Sequence, residues 1–290
     1  MQIAYHLGVH CTDDDLLVNT LHRNAAALAE AGIEVPDPNS YRSLIRDAAA
    51  RLNGLPATTE FQDALLDHML ENDDPDRLVL SWENFLAFPT WAVRGAFYRS
   101  AGERMRAITG IFPDHEAEFF LAVRNPATFL PELFRRQRET SYEAFIRGTD
   151  PEELRWSDTL RDIRAANPDV PITVWADEDS PLVWPEVLQA VADLPEGLQL
   201  DGTNDLLASL MTTRGLGRMT SYMNARPPAS ILDRRRIVTA YIERFGRPEA
   251  LEVNVSLPGW TAEMVARMTE NYERDLAIIA TLPDVTMIEA

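Results

Sequence analysis

Apolar residues follow two rhythms along this chain. Short unbroken apolar runs alternate with longer stretches in which apolar side chains recur every three or four positions. The first rhythm predicts buried strands and the second amphipathic helices. Residues 2–8 read as a buried strand, and 13–32 as a helix with the apolar stripe Leu17, Leu21, Ala25 and Leu28. Thr12 is placed as its N-cap, with Asp15 three residues later, and Gly32 as its stop. An extended piece at 32–38 follows, then helices over about 40–53 and 60–71. A strand is expected at Arg77–Ser81 and a helix over 100–113. The strongest strand signal starts at Glu116 and is ended by Arg124, Asn125 and Pro126. Its continuous apolar character implies burial on both faces, as in a central parallel strand. Helices over 127–146, 151–168 and 181–195 surround a further strand in 171–179. Beyond about residue 200 the pattern is helical, over 204–213, 229–245 and 261–280. Residues 284–290 then read as a short edge strand.

Strand and helix alternate three or four times, the pattern of an α/β fold: a parallel β-sheet flanked by helices on both faces. The last third is a helical addition. The 290 residues read as a single domain, 1–290, with helical additions at about 36–76 and 200–280. The Pro-rich stretch 224–230 is a loop within it. A hydrophobic fraction of 46% is ample for a large core.

Charge narrows the functional classes. The formal net charge of −19 argues against an extended nucleic-acid or anionic-membrane surface. All 27 basic residues are arginine, which excludes lysine chemistry of any kind and fits a GC-rich genome. The one cysteine, Cys11, excludes an intrachain disulfide and a Cys-rich zinc site, and fits a reducing cytoplasm. The N-terminus lacks a basic start and a long apolar core, so no signal peptide is expected. No run of about 18 apolar residues predicts a membrane span.

Four segments carry more specific information: residues 6–36 from His6, Leu78–Phe85, Phe119–Gln137, and 172–191. In this order and spacing they resemble the P-loop sulfotransferases, in the broad bacterial group that includes carbohydrate-type enzymes. The resemblance covers roughly residues 2–193 and, more loosely, the terminal helix. It implies a sheet of the P-loop nucleoside triphosphate hydrolase type. It also implies a first loop whose amides and lysine hold the 5′-phosphosulfate of adenosine 3′-phosphate 5′-phosphosulfate. Against the family loop His-Ile-Gly-x-x-Lys-Thr-Gly-Thr-Thr, His6, Gly8 and Thr12 match. The lysine position is Cys11, the glycine is Asp13, and the two hydroxyl positions are Asp14 and Asp15. In the third segment Arg124 and Pro126 fit the family's Arg-x-Pro, but the following serine, a 3′-phosphate ligand, is Glu132. Glu83, just after the second segment's strand, matches a glutamate that acts as general base on the acceptor hydroxyl in carbohydrate-type members. Glu178 and Asp179 resemble a later acid pair to which no chemistry is assigned.

The resemblance thus assigns Gly8, Thr12 and Arg124 as retained donor-site positions and Glu83 as the catalytic candidate. The substitutions oppose the donor. A helix N-terminus carries about half a positive charge and can hold an anion. Carboxylates in its first turn occupy that field from within. A like charge 4 Å away in a partly buried site repels by roughly 4 kcal/mol at an effective dielectric of 20. The expectation is a sulfotransferase-like protein that has lost the donor and acts as a binding or structural protein, with no cofactor. Arg124 then caps its strand or pairs with Glu132 or an aspartate.

Two alternatives stand beside this one. An active sulfotransferase with a rebuilt donor site would use adenosine 3′-phosphate 5′-phosphosulfate, Arg124 and Glu83 on a small, saccharide-like acceptor. A carboxylate-metal enzyme would use Asp13–Asp15 with Mg²⁺, Mn²⁺ or Zn²⁺, although successive residues at a helix start point in different directions. Cys11 reads as an inert small residue. The clusters Arg135, Arg136, Arg138 and Arg234, Arg235, Arg236 read as solvated faces paired with acids, or as sites for an anionic acceptor. The aromatic-rich stretch 81–98 reads as core or, if exposed, as a stacking platform.

Overall fold

The computed structural model describes residues 1–72, 74–137, 141–253 and 255–290. Among these residues six strands form one sheet: β1 (Gln2–His6), β2 (Ile33–Glu34), β3 (Arg77–Ser81), β4 (Glu116–Val123), β5 (Ile172–Ala176) and β6 (Val285–Ile288). Their order is β2-β3-β1-β4-β5-β6, and every pairing is parallel. The α/β fold expected from the pattern is the fold observed. β4 is a central strand buried on both faces: Phe119, Leu121 and Val123 enter one core, Phe120 and Ala122 the other.

The helices divide between those two cores. On one face lie α1 (Leu16–Arg23) and α2 (Ala25–Glu30), which place Leu17, Val18, Leu21 and Leu28 against the sheet. The other face takes α3 (Pro38–Leu52), α4 (Thr59–Met69), α5 (Ala101–Thr109), α6 (Pro126–Arg136), α7 (Tyr142–Ile146) and α8 (Trp156–Ala166). Helix α9 (Ser180–Ala192) returns to the α1 side and buries Val183, Trp184, Val187 and Leu188 there. Each such side chain, once fully buried, contributes about 1.5–3 kcal/mol.

The last third is mainly helical, as expected: α10 (Asp205–Leu210), α11 (Thr213–Ala225), α12 (Ile231–Phe245), α13 (Pro248–Leu251) and α14 (Ala262–Ile279). The helix expected over 204–213 stops at Leu210, and two helices were not foreseen, α11 and α13. Helices α10 to α12 enclose a small core of their own around Leu207, Met211, Met219 and Val238. Helix α14 goes back to the main core. There Asp275, 1% exposed, accepts the Trp156 and Ser157 N–H groups at 2.7 and 3.2 Å. A carboxylate on one helix thus caps the N-terminus of another, α8, whose first amides have no partner within their own helix. β6 then closes the sheet beside β5.

Two further helix expectations need correction. The single helix over 13–32 is two, α1 and α2, broken at Asn24. The Asn24 side chain turns aside to donate to the Thr20 and Asp201 carbonyls at 2.7 and 2.9 Å. The helix over 127–146 stops at Arg136 and a new one starts at Tyr142; residues 138–140 between them, including Arg138 of the first arginine cluster, lie outside the described residues. No helix among the described residues is long and apolar enough to cross a membrane.

Candidate functional site

The sheet grows to one side of β1 through β3 and β2, and to the other through β4, β5 and β6. In open parallel sheets the crevice at the carboxyl ends of strands, where the build direction reverses, is where ligands bind. The loops after β1, β3 and β4 meet there.

The loop after β1 is made of unusual backbone. Gly8, Cys11, Asp14 and Asp15 all have positive φ, at 87°, 60°, 48° and 65°. Space at Gly8 is also tight: a Cβ there would lie 3.2 Å from the Glu83 Cα. Gly8 and Glu83 therefore meet backbone to backbone, from the ends of neighbouring strands. Cys11, with a side chain that gives no local compensation, pays about 1–2 kcal/mol for its left-handed conformation. The surrounding contacts hold it there. Arg124 Nη1 donates to the Cys11 carbonyl, and Thr12 Oγ1 donates to the Val9 carbonyl at 2.7 Å.

Thr12 is thus not the N-cap that its position suggested. Consecutive left-handed residues at Asp14 and Asp15 delay the helix to Leu16, and Asp15 takes the cap position with no side-chain cap bond. Asp13 meets the helix end instead: its Oδ2 accepts the Leu17 N–H at 2.9 Å.

The other two aspartates turn to different arginines. Asp14 Oδ1 sits 2.6 Å from Arg136 Nη2. Asp15 is held by Arg42 through two bonds, Nη2 at 2.6 Å and Nη1 at 3.0 Å. Arg42, on α3, also donates to the Ser81 carbonyl at the end of β3. Arg124 is nearly enclosed and pairs with Glu132 at 3.0 Å and Asp177 at 3.5 Å. Arg136 extends the network to Glu132 at 3.5 Å and Glu83 at 3.7 Å. The four residues singled out in the sequence, Gly8, Thr12, Glu83 and Arg124, all border this one cluster.

Protonation follows burial. Desolvation raises the Glu83 carboxyl above the usual range, with Arg136 opposing. Asp177 is pushed up to about 7 by burial, although Arg124 beside it pulls the other way. Burial pushes the Cys11 thiol up to about 12, so it is not a ready thiolate at neutral pH. Burial also lowers His10 to about 4. A neutral His10 fits its contacts: Tyr98 OH at 2.6 Å from Nδ1, and Asn84 Oδ1 at 3.1 Å from Nε2. Glu178 ties the chain just after β4 to the middle of α14, accepting the Asn125 N–H at 2.8 Å and the Tyr272 O–H at 2.9 Å.

Sequence reasoning missed Arg42, Asp177 and the His10–Tyr98–Asn84 chain. Arg42 lies 27 positions from the aspartate it holds, so local pattern carries no trace of the pairing. Asp177 directly precedes the Glu178–Asp179 pair, and nothing in the local sequence sets it apart. In the second arginine cluster, Arg235 pairs with Glu186 at 3.1 Å and Arg236 with Asp233 at 3.6 Å, while Arg234 donates to the Leu182 carbonyl.

A cavity of about 630 Å³ opens beside the network, lined by Arg124, Glu132, Arg135, Arg136, Glu249 and Glu252 among others. The roomier cavity, about 750 Å³, lies at the opposite, amino end of the strands near Gln2, Glu116 and Pro171. Among the described residues no three His, Cys, Asp or Glu side chains gather so as to hold a metal ion. Comparison of the chain with protein-family models, with curated proteins and with solved structures gives no match.

Proposed function

We propose that this is a sulfotransferase-like scaffold whose donor-phosphate site is filled by its own carboxylates, and that it works as a binding or structural protein. One observation carries the reading. Three groups that would meet a donor phosphate after β1 and β4 already have an internal carboxylate: the Leu17 amide has Asp13, Arg136 has Asp14, and Arg124 has Glu132. An incoming phosphate would have to displace carboxylates that are already charge-matched and held at short range. The single buried cysteine suits a reducing compartment such as the cytoplasm.

Isothermal titration with adenosine 3′,5′-bisphosphate tests this directly. No heat of binding is expected. Micromolar affinity would overturn the reading.

One observation favours a second reading, an active transferase with a rebuilt donor site. Glu83 is half-buried, its proton affinity is raised, and it stands beside Arg136 near an open cavity. A poised general base has these properties. Sulfate transfer from labelled donor to a saccharide hydroxyl, abolished by Glu83→Gln, would establish it. The absence of both turnover and donor binding would remove it.

A further inference from the structure

The segment after β3 builds a second cleft, away from the aspartates. A short 3-10 turn at Pro89–Trp91 is followed by a tight reversal in which Val93 bridges Phe97 around Gly95, whose φ is +73°. Neighbouring elements pin both. Gln137 Nε2 donates to the Pro89 carbonyl at 2.8 Å, and Thr149 Oγ1 accepts the Gly95 N–H at 2.8 Å. The loop is therefore shaped before any ligand arrives.

Two large rings on it face water: Trp91 is 51% exposed and Phe88 41%. Both carry arginines. The Arg94 guanidinium carbon lies 3.1 Å from the Trp91 ring centroid and that of Arg147 5.7 Å, while Arg104 sits 5.6 Å over Phe88. Between them is a cavity of about 500 Å³, with walls that include Leu86, Phe88, Trp91, Arg94, Arg99 and Arg104. A smaller cavity of about 280 Å³ shares Phe88 and Arg104 and continues over Trp82 and Ile45.

The charge of this cleft runs against the molecule. The chain has 46 acidic residues to 27 basic ones, yet the 500 Å³ cavity has three arginines and no acid in its walls. Among the described residues, Arg94, Arg99, Arg104 and Arg147 have no carboxylate within ion-pair distance, whereas Arg42, Arg124 and Arg136 each do. Arg94 Nε is shut from solvent without a hydrogen-bond partner. Arg104 is fixed through Nε and one Nη on the Phe85 and Asn84 carbonyls, and among the described residues its other Nη has no protein bond. Unneutralised guanidinium groups beside exposed rings form a surface complementary to a flat anion.

We propose that this cleft binds a small aromatic anion, an aryl carboxylate or aryl sulfonate, with its ring against Trp91 and Phe88 and its charge on the arginines. The proposal does not depend on how Asp13–Asp15 are read, because none of those residues lines the cleft.

Calorimetric titration of the full chain with naphthoate, naphthalenesulfonate and neutral naphthol is the test. Both anions are expected to bind with dissociation constants below about 1 mM, and naphthol about tenfold more weakly. Trp91→Ala, at an exposed position, and Arg94→Ala, at a half-buried one, should each weaken anion binding about tenfold while the melting temperature holds. Absence of heat with either anion at about 1 mM, equal binding of naphthol, or full-strength binding in both variants would overturn the proposal.

Discussion

The two arginine-rich regions of this molecule are built on opposite plans. At the carboxyl end of the sheet, Arg42, Arg124 and Arg136 are wedged among Asp14, Asp15, Glu83, Glu132 and Asp177. Over Trp91 and Phe88, arginines stand with rings and carbonyls and no carboxylate among the described residues. The first arrangement has satisfied its own charge and stabilises the fold. The second has left its charge open. Location along the topology alone points to the first as a binding site; the open charge of the second is what the anion site proposed there rests on.

The largest effect should come from breaking the paired region. Arg124→Ala removes an enclosed cation, leaves Asp177 and Glu132 without it, and releases the Cys11 carbonyl. Urea unfolding should show a loss of about 3–5 kcal/mol. A loss under about 1 kcal/mol, the value of an exposed pair, would mean that the network is a surface feature only.

A pH series probes the same region. Asp177 titrates near 7 in the folded protein and near 3.8 as an ordinary aspartate. Its folded pKa is raised, so it contributes stability at low pH that is lost as pH climbs through that window. His10 acts oppositely. Its folded pKa is near 4 and its ordinary value 6.5, so stability falls as pH drops from about 6.5 to 4. The two slopes oppose each other in the native protein. Asp177→Asn should leave the His10 slope exposed: the stability gain of the variant over the native protein should grow by a few kcal/mol between about pH 4 and pH 8. A constant difference across that range would refute the assignment.

Asp15→Asn weakens a two-bond pair that is partly open to water. A loss of about 1 kcal/mol is expected, reduced in high salt. At the other end of the comparison, Arg94→Ala should change unfolding free energy by less than about 0.5 kcal/mol. If it costs as much as Arg124→Ala, the open arginines are structural too and the contrast between the regions fails.

How far the sequence foretold this can be followed residue by residue. Arg77–Ser81 was legible as a strand because its apolar run is short and bounded, and Glu116–Val123 because its run is unbroken. The division of the first helix at Asn24 was not legible. Its cause is a bond to Asp201, 177 positions away. The order of the strands was also beyond local pattern, since parallel neighbours are joined through distant crossovers. In the site, a pairing of Arg124 with Glu132 or an aspartate was anticipated, because the resemblance puts a carboxylate where a phosphate-binding serine would stand, and Arg124 meets both Glu132 and Asp177. The cap by Thr12 failed for a local reason. Asp14 and Asp15 both take left-handed backbone, which after glycine is most accessible to Asn and Asp, and the helix start moves past them. The aromatic stretch 81–98 was legible as an alternative between core and platform. The structure divides it: Phe85 and Phe97 are core, whereas Phe88 and Trp91 face solvent.

The Asp275 cap also bears on the order in which the molecule can be made. The ribosome releases α8 more than a hundred residues before the carboxylate that satisfies its first amides. The β5 edge likewise waits for Val285–Ile288. During synthesis, a helix start and a sheet edge near the middle of the chain thus stay unpaired until residues beyond 275 emerge. Such nascent chains expose a strand edge that invites pairing with another copy. Their final closure is a late event rather than a progressive one.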